Sequence, residues 1–408
     1  MIFDSESVFE ENVITVLKQH GWKDGVLRYP TERDLLDNWK DILYRNNNDI
    51  DRLGKYPLTD GEMAQIIEQI ETLRTPLALN SFVNGRTVSI TRDNKEDVAH
   101  FGKEVSLYIY DRKEIAGGKS TYQIAQQPVY PAKNTMLNSR RGDLVLLING
   151  MPLIHIELKK SGIPVSQATN QIEKYAHEGV FTGLFRLVQI FVAMTPDDAV
   201  YFANPGADKF NPSYYFHWAD YNNEPICGGQ HPGKDEWKLF IGGTSGTAGL
   251  LSIPMAHQLI GFYTIADSAD GCLKVLRSYQ YLAANAISDV VRKCDWEQRP
   301  SMPGRPGGYV WHTTGSGKTM TSFKSAQLIA DSHDADKVVF LMDRIELGTQ
   351  SLKEYRSFAD SETEVQGTEN TGVLRDKLNS TNVNDTLIVT SIQKMSNVKA
   401  GERGVTQT

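Results

Sequence analysis

Asp143, Glu157 and Lys159 are two carboxylates and an amine within one short stretch of chain. Metal-dependent phosphodiester cleavage needs carboxylates that hold a hard cation against the scissile phosphate. It also needs a positive group that positions or activates the attacking water. Glu157 and Lys159 lie two residues apart in a β-rich run, so both project from one face, with the carbonyl of Leu158 between them as a further oxygen ligand. The runs 144–148 and 153–158 flank Asn149-Gly150, a strong hairpin signal. A turn there brings Asp143 within about one residue of Glu157, and cross-strand neighbours sit roughly 5 Å apart at Cβ, suitable for sharing a cation. The competing reading makes these residues the polar face of a half-exposed hairpin, with Glu157 and Lys159 as simple neighbours. Ile154, Ile156 and Leu158 on the opposite face anchor the strand, and Lys160 extends the positive charge, which favours a preorganised site.

Two further pairs cluster with this stretch. Gln171 and Tyr175 are four residues apart in a helical segment over 165–177, so an amide and a phenol share a face where they could orient a DNA strand or water. Taken alone such a pair is ordinarily structural. Glu6 and Glu10 share a face of the first helix and could add a carboxylate ligand. Ser7 and Glu10 also have capping-box spacing, and for Glu10 that capping reading ranks above the metal reading.

A different chemistry is written at 307–319, Gly-Gly-Tyr-Val-Trp-His-Thr-Thr-Gly-Ser-Gly-Lys-Thr. An expected strand at 309–311 runs through a glycine-rich turn into a helix, the setting of a phosphate-binding loop. Backbone amides around Gly315, Ser316 and Gly317 can cradle phosphates, Lys318 can reach the outer ones and Thr319 can ligate the Mg²⁺ that accompanies ATP. His312 replaces the first glycine of G-x-x-x-x-G-K-[ST]. The alternative is a structural glycine turn. Upstream, the Gln280 amide could both donate to and accept from adenine. Asp343-Arg344 and the segment 390–393 fall at the C-terminal ends of expected strands, the edge where α/β sheets carry functional loops, although either could be an ordinary turn.

The elements that must position these residues form an α/β pattern. An amphipathic first helix ends at Gly21, a charged helical region spans about 30–85, and strands are expected at 87–90 and 105–110. The hairpin, the 165–177 helix and a strand over 187–194 then follow in the order of an α/β core. Between about Phe216 and Ser252 the composition turns to Gly, Pro, Asn and Thr, which places a boundary between domains 1–245 and 246–408. In the second, apolar runs at 338–342 and 387–390 alternate with helical stretches, as in a parallel sheet with crossover helices. A chain of 408 residues fits two cores. Its net charge of −7 gives no global attraction to nucleic acid, so DNA contact must rest on local basic patches and bridging cations. Cys227, Cys272 and Cys294 have neither disulfide-framework nor zinc spacing and fit a reducing cytoplasm. No signal-like N-terminus or membrane-spanning run is seen, so membrane insertion and secretion are not expected.

The run GDLVLLINGMPLIHIELKKSG with QATNQIEKY behind it, then RSYQ, GGYVWHTTGSGKTMTSFK, LMDRIEL and VTSIQKM in that order, strongly resembles the restriction (R) subunit of Type I restriction-modification enzymes over nearly the whole chain. The resemblance implies an N-terminal RecB-like PD-(D/E)xK nuclease domain followed by a RecA-like, superfamily 2 helicase lobe. It implies catalytic roles for Asp143, Glu157 and Lys159, and makes Gln171 and Tyr175 the Q-x-x-x-Y element beside the cutting site. Gln280 becomes the adenine-sensing glutamine, and Gly315 to Thr319 the ATP loop; Ser278 stands where proline is expected. The implied cofactors are Mg²⁺ and ATP, and the implied partners double-stranded DNA with methyltransferase and specificity subunits. The chain stops at Thr408, before an Asp-Glu-Ala-His type segment and a second lobe, so as given it is expected to bind ATP weakly and translocate nothing. A stand-alone repair or anti-phage helicase-nuclease and a non-catalytic ATP-sensing scaffold are the competing readings.

Overall fold

The computed structural model describes residues 2–131, 140–207, 209–229, 235–293, 307–343, 345–359 and 361–398. The chain divides into two compact units, Met1–Thr264 with Gly271–Ser278, and Ile265–Asp270 with Tyr279–Thr408. Residues 246–264 pack with the first unit. The Trp22 indole donates to the Leu251 carbonyl at 2.6 Å, Ile253 N–H to His20 at 2.8 Å, and the Tyr110 hydroxyl to the His257 carbonyl at 2.9 Å. Cys227 is a buried free thiol, Cys272 Sγ lies 3.6 Å from the Lys209 amine, and Cys294 lies outside the described residues.

The first unit opens with α1 (Glu6–Gln19), whose first turn is closed by Ser5 accepting from Val8 N–H. After β1 (Val26–Arg28), α2 (Glu32–Asn46) and α3 (Asp60–Thr72) both begin with capping boxes, Thr31 with Asp34 and Thr59 with Glu62. Next come α4 (Pro76–Asn84), β2 (Thr87–Thr91) and β3 (Glu104–Tyr108), the two strands forming an antiparallel pair. The central sheet is built from β1 with β4 (Tyr122–Gln126), β5 (Leu144–Ile148), β6 (Met151–Leu158), β7 (Ile190–Met194) and β8 (Ala199–Ala203), in the order β1-β4-β5-β6-β7-β8. β5 and β6 are an antiparallel hairpin. β6 and β7 are parallel, which requires a crossover, and α5 (Val165–Glu178) supplies it. α5 ends where Gly179 takes a left-handed conformation, φ 68°, and lays Ala168 and Ile172 on Phe191, Ala193, Val200 and Phe202 of β7 and β8. Leu187 closes a 3₁₀ turn over Gly183–Leu187 rather than opening β7, so that strand is shorter than the apolar run suggests. α6 (Glu236–Gly242) brings Trp237 edge-on to Phe3 and Phe9, and α7 (Met255–Gly261) completes the helices of this unit.

Short strands β9 (Thr264–Asp267) and β10 (Cys272–Val275) precede α8 (Ser278–Lys293). The second unit continues through α9 (Lys318–Ser332), β11 (Val338–Met342), α10 (Ile345–Phe358), β12 (Val365–Gly367), α11 (Thr371–Asn379), β13 (Leu387–Ser391) and α12 (Ile392–Ser396). Its sheet has the order β11-β13-β12 with both pairs parallel, the topology expected of strands joined by helices. The run 309–311 is not a strand: Tyr309 is 90% and Trp311 88% exposed. Extended backbone needs a neighbouring ladder, and among the described residues this run pairs with none.

Candidate active site

The hairpin turn fixes the first site. Asn149 and Gly150 both have positive φ, 52° and 83°, as a two-residue type I′ turn requires. Asn149 N–H donates to the Thr121 carbonyl at 2.8 Å, and its side chain accepts from Thr121 N–H at 2.9 Å. From this turn the register runs to Leu144 opposite Ile156, with an irregularity after Leu146, so Asp143 meets Glu157 one step further on. Leu158 N–H donates to Asp143 Oδ2 at 2.7 Å, which holds that carboxylate against β6. Lys159 continues the strand, its N–H bonded to the Met194 carbonyl at 3.0 Å. Its amine lies 2.8 Å from the Leu158 carbonyl and 3.3 Å from Glu157 Oε1, with Glu6 Oε1 at 3.7 Å.

Glu157 and Lys159 are not the polar face of a half-exposed strand. Every residue of β6 is buried, Glu157 completely, and Lys159 is nearly so. Burial therefore pushes the Glu157 carboxyl up to about 7 against the pull of Lys159. The same burial, reinforced by the Glu157 charge, holds Asp143 well above the usual carboxylate range. Two proximate acids with raised proton affinity and one lysine make a site short of positive charge. Glu157 Oε2 is buried without a hydrogen-bond partner, so an oxygen ligand is available. Asp143 and Glu157 with the Leu158 carbonyl thus suit a hard cation whose remaining positions water and phosphate would fill. Among the described residues no group of three or more His, Cys, Asp or Glu side chains is gathered to hold a metal by itself.

Glu10 overturns its capping assignment. α1 starts two residues too early for Ser7 to cap it through Glu10, and Ser5 is the cap. Glu10 is instead buried toward the sheet, where Oε1 accepts from Gln126 Nε2 at 2.7 Å and Oε2 from Gln127 Nε2 at 3.0 Å. Burial raises its proton affinity, and its charge in turn raises that of Asp143. Gln171 and Tyr175 share a face of α5, linked by a 2.7 Å bond from the amide to the phenol oxygen. Tyr175 donates onward to the Arg141 carbonyl at 3.0 Å, tying α5 to the backbone just before Asp143. Its hydroxyl is pushed up to about 12 by burial and by the Glu157 charge. Lys160 is exposed and reaches the Asp4 carbonyl at 3.4 Å.

Sequence reasoning passed over Gln126 and Gln127, whose amides hold Glu10, and over His155 and Tyr130. His155 precedes Glu157 by two on the same strand, so period-two alternation was the available signal. Its Nδ1 lies 2.8 Å from the Tyr130 hydroxyl, and both residues are fully enclosed.

In the second unit Gly317 caps α9 in a left-handed conformation, φ 81°, and Gly315 has φ 78°. Lys318 and Thr319 open the helix, in the turn whose backbone amides lack intrahelical partners. His312 fills the place of the first glycine by meeting Ser316 Oγ at 2.8 Å, and Ser316 Oγ donates to the Thr313 carbonyl at 2.8 Å. The Lys318 amine rests 3.2 Å from the same Thr313 carbonyl. Tyr279 and Gln280 brace the loop from α8: the phenol donates to the Ser316 carbonyl at 2.9 Å and the amide to the Gly317 carbonyl at 3.3 Å. A Cβ at Gly317 would displace the Gln280 amide, while the left-handed φ is what calls for glycine there. Asp343 lies just beyond β11, and the Gln393 amide donates to its carbonyl at 2.9 Å; Arg344 lies outside the described residues. The segment 390–393 spans the end of β13 and the start of α12.

Comparison with known proteins bears on both units. The family described as Type I restriction enzyme R protein N terminus matches residues 4–210, and the SWI2/SNF2 ATPase family matches residues 279–407. The Type I restriction enzyme SsaAORF53P endonuclease subunit of Staphylococcus saprophyticus is 32% identical over 402 residues, covering 97% of this chain and 37% of that protein. The SauMSSORF170P endonuclease subunit of Staphylococcus aureus is 32% identical over 403 residues, covering 98% and 38%. The EcoprrI endonuclease subunit of Escherichia coli is 28% identical over 343 residues, covering 76% of this chain and 99% of that protein. The chain thus spans little more than a third of the staphylococcal relatives it matches.

Proposed function

The chain belongs to the Type I restriction enzyme R protein family, and from that premise we propose that it forms the endonuclease and first motor portion of an enzyme that cleaves double-stranded DNA away from its recognition sequence. In this reading the first unit is a RecB-like PD-(D/E)xK nuclease domain, and the second is the first RecA-like lobe of an ATP-dependent, superfamily 2 translocase. The observation that carries it is the meeting of Asp143 and Glu157 beside the Lys159 amine, with Leu158 N–H on Asp143 Oδ2 at 2.7 Å.

Asp143, Glu157 and the Leu158 carbonyl would hold Mg²⁺. The ion supplies Lewis-acid polarisation of the phosphate and a more acidic water. Lys159 rests between Glu157 and the Leu158 carbonyl; it would leave that carbonyl to the ion and stay beside Glu157, where it can orient the attacking water and offset charge gathering on the phosphate. Tyr175, drawn to the Arg141 carbonyl, fixes the strand entering Asp143, and Gln171 holds Tyr175 in place. Glu10, gripped by two glutamines, adds negative charge beside Asp143 that favours a cation. In the second unit Gly315, Ser316 and Gly317 would wrap the ATP phosphates, Lys318 would leave the Thr313 carbonyl to meet them, and Thr319 would ligate the accompanying Mg²⁺. Gln280 already rests on the loop backbone, so adenine contact and loop position are joined through one side chain.

The working partners are double-stranded DNA and the methyltransferase and specificity subunits that supply sequence recognition. The compartment is the cytoplasm, which the free thiol of Cys227 suits. Among the described residues no helix is long and apolar enough to cross a membrane. The test uses the full-length subunit assembled with those partners on circular DNA. Asp143→Ala and Lys159→Ala should each abolish strand cleavage while ATP hydrolysis persists, and Lys318→Ala should abolish ATP hydrolysis. Cleavage surviving in both nuclease-site variants overturns the reading.

A further inference from the structure

Among the buried polar atoms of the first unit that lack a hydrogen-bond partner, Glu157 Oε2 and His155 Nε2 lie 3.4 Å from each other. Leaving a buried donor or acceptor unpaired is costly, so two orphans facing one another call for a physical account. His155 and Glu157 alternate onto the same face of β6, both fully enclosed. The imidazole is boxed by Tyr130, Tyr175, Phe181 and Phe191, with ring centroids at 5.4 to 6.4 Å, so it has no room to turn away. Its other nitrogen, Nδ1, is held at 2.8 Å by the Tyr130 hydroxyl. Gly142 is what lets that hydroxyl approach, since a Cβ there would strike both the Tyr130 oxygen and His155 Cε1.

A neutral imidazole carries one N–H, and the surroundings decide which nitrogen has it. With the proton on Nδ1, Nε2 would point a lone pair at a carboxylate oxygen, acceptor against acceptor in a site closed to water. With the proton on Nε2, the Tyr130 hydroxyl donates to Nδ1 and Nε2–H faces the Glu157 carboxylate across 3.4 Å, so a closure of a few tenths of an ångström lets one tautomer answer both orphans. We propose that His155, locked in this tautomer by Tyr130, is a positioning residue that donates from Nε2 to Glu157 Oε2 and sets the carboxylate for cation binding. Lys159 approaches Oε1 while His155 steers Oε2, so the carboxylate is oriented from both sides and each oxygen keeps a second lone pair for the ion. The inference rests on the reading of Asp143 and Glu157 as a cation site.

The experiment measures Mn²⁺ affinity of the full-length subunit by calorimetry, without DNA, alongside cleavage in the assembled enzyme. His155→Phe keeps the ring and removes the donor. His155→Gln keeps an amide nitrogen where Nε2 stood. Tyr130→Phe removes only the hydroxyl that fixes the tautomer, and Asp143→Asn tests the cation site itself. Loss of a group that orients a metal ligand typically weakens metal binding about 10–100-fold. Mn²⁺ binding should fall by that order in His155→Phe, recover to within about threefold in His155→Gln, and weaken in Tyr130→Phe. Filler loss alone would not be rescued by glutamine, which fills the aromatic box worse than phenylalanine. If Asp143→Asn loses Mn²⁺ while His155→Phe binds as tightly as the parent, the positioning role is overturned and the cation site stands. If Asp143→Asn also binds Mn²⁺ unchanged, the cation reading fails and the inference with it. Should His155→Phe not fold, the glutamine variant and Tyr130→Phe decide, and unchanged affinity in Tyr130→Phe counts against the tautomer lock.

Discussion

At the scale of single residues, protons and cations compete for one pair of oxygens. Burial raises Glu157 from 4.5 to about 7 and holds Asp143 above the usual carboxylate range, so below neutral pH the pair retains protons that a cation must displace. Mn²⁺ binding by the full-length subunit should therefore tighten as pH rises from about 6 to 8, and affinity independent of pH over that window would contradict the assignment. The linked stability runs the other way. A carboxyl whose folded value lies above its unfolded value contributes stability at low pH that is lost as pH climbs through about 7. His155 and His257, lowered by burial to about 4, act oppositely but only below their unfolded value of 6.5. With chelator present, the first unit should lose stability between pH ~6.5 and ~8, and Glu157→Gln should flatten that slope in thermal melts. The Asp–Glu–Lys pattern was legible because residue types and strand periodicity carry it. The burial behind these shifts was not, because alternation marks which residues share a face without saying what covers that face. Glu10 shows the same limit: three-residue spacing suggested a cap, but only the helix start at Glu6 and the two glutamine amides decide what the carboxylate does.

At the scale of elements, the hairpin turn is the lever that sets the site. One residue of slip in β5 against β6 would turn Asp143 away from Glu157, since successive side chains face opposite ways. The turn resists slip through its positive-φ pair and through Asn149, which bonds Thr121 with both backbone and side chain. Gly150→Ala places a Cβ in a left-handed conformation, costing about 1–2 kcal/mol, and drives it within 2.9 Å of the Trp39 backbone and ring. The variant should show a lower urea midpoint with little change in slope, together with weakened Mn²⁺ binding. An unchanged midpoint would mean that the turn does not set the register. Asn-Gly announced this hairpin because the turn type dictates its residues locally. The stretch Tyr309–Trp311 reads as a strand by the same local rules, yet strand formation also needs a neighbour, which no property of three residues contains. The crossover by α5 was legible for the opposite reason. Its apolar stripe and the buried run of β7 fit one another, and a parallel pair demands a connection of that length.

At the scale of the whole molecule, a net charge of −7 must be reconciled with a polyanionic substrate. Glu157 and Glu6 lie 3.3 and 3.7 Å from the Lys159 amine, and the charges of Glu157 and Glu10 both bear on Asp143, so at the cutting site itself the protein repels phosphate unless a cation intervenes. Free Mg²⁺ has two opposed effects. It screens the DNA and weakens contacts made by lysine and arginine, and it converts the acidic site from repulsive to attractive. The second effect belongs to this site alone and can be isolated with a subunit that does not cut. Full-length Lys159→Ala should bind a DNA duplex more tightly in Mg²⁺ than in EDTA at matched ionic strength, measured by fluorescence anisotropy. Adding Asp143→Asn should erase the difference, because the remaining carboxylate holds the ion poorly. Tighter binding in EDTA, or a Mg²⁺ effect that survives the second substitution, would mean that DNA is held by basic surface elsewhere and that the acids take no part in engaging phosphate.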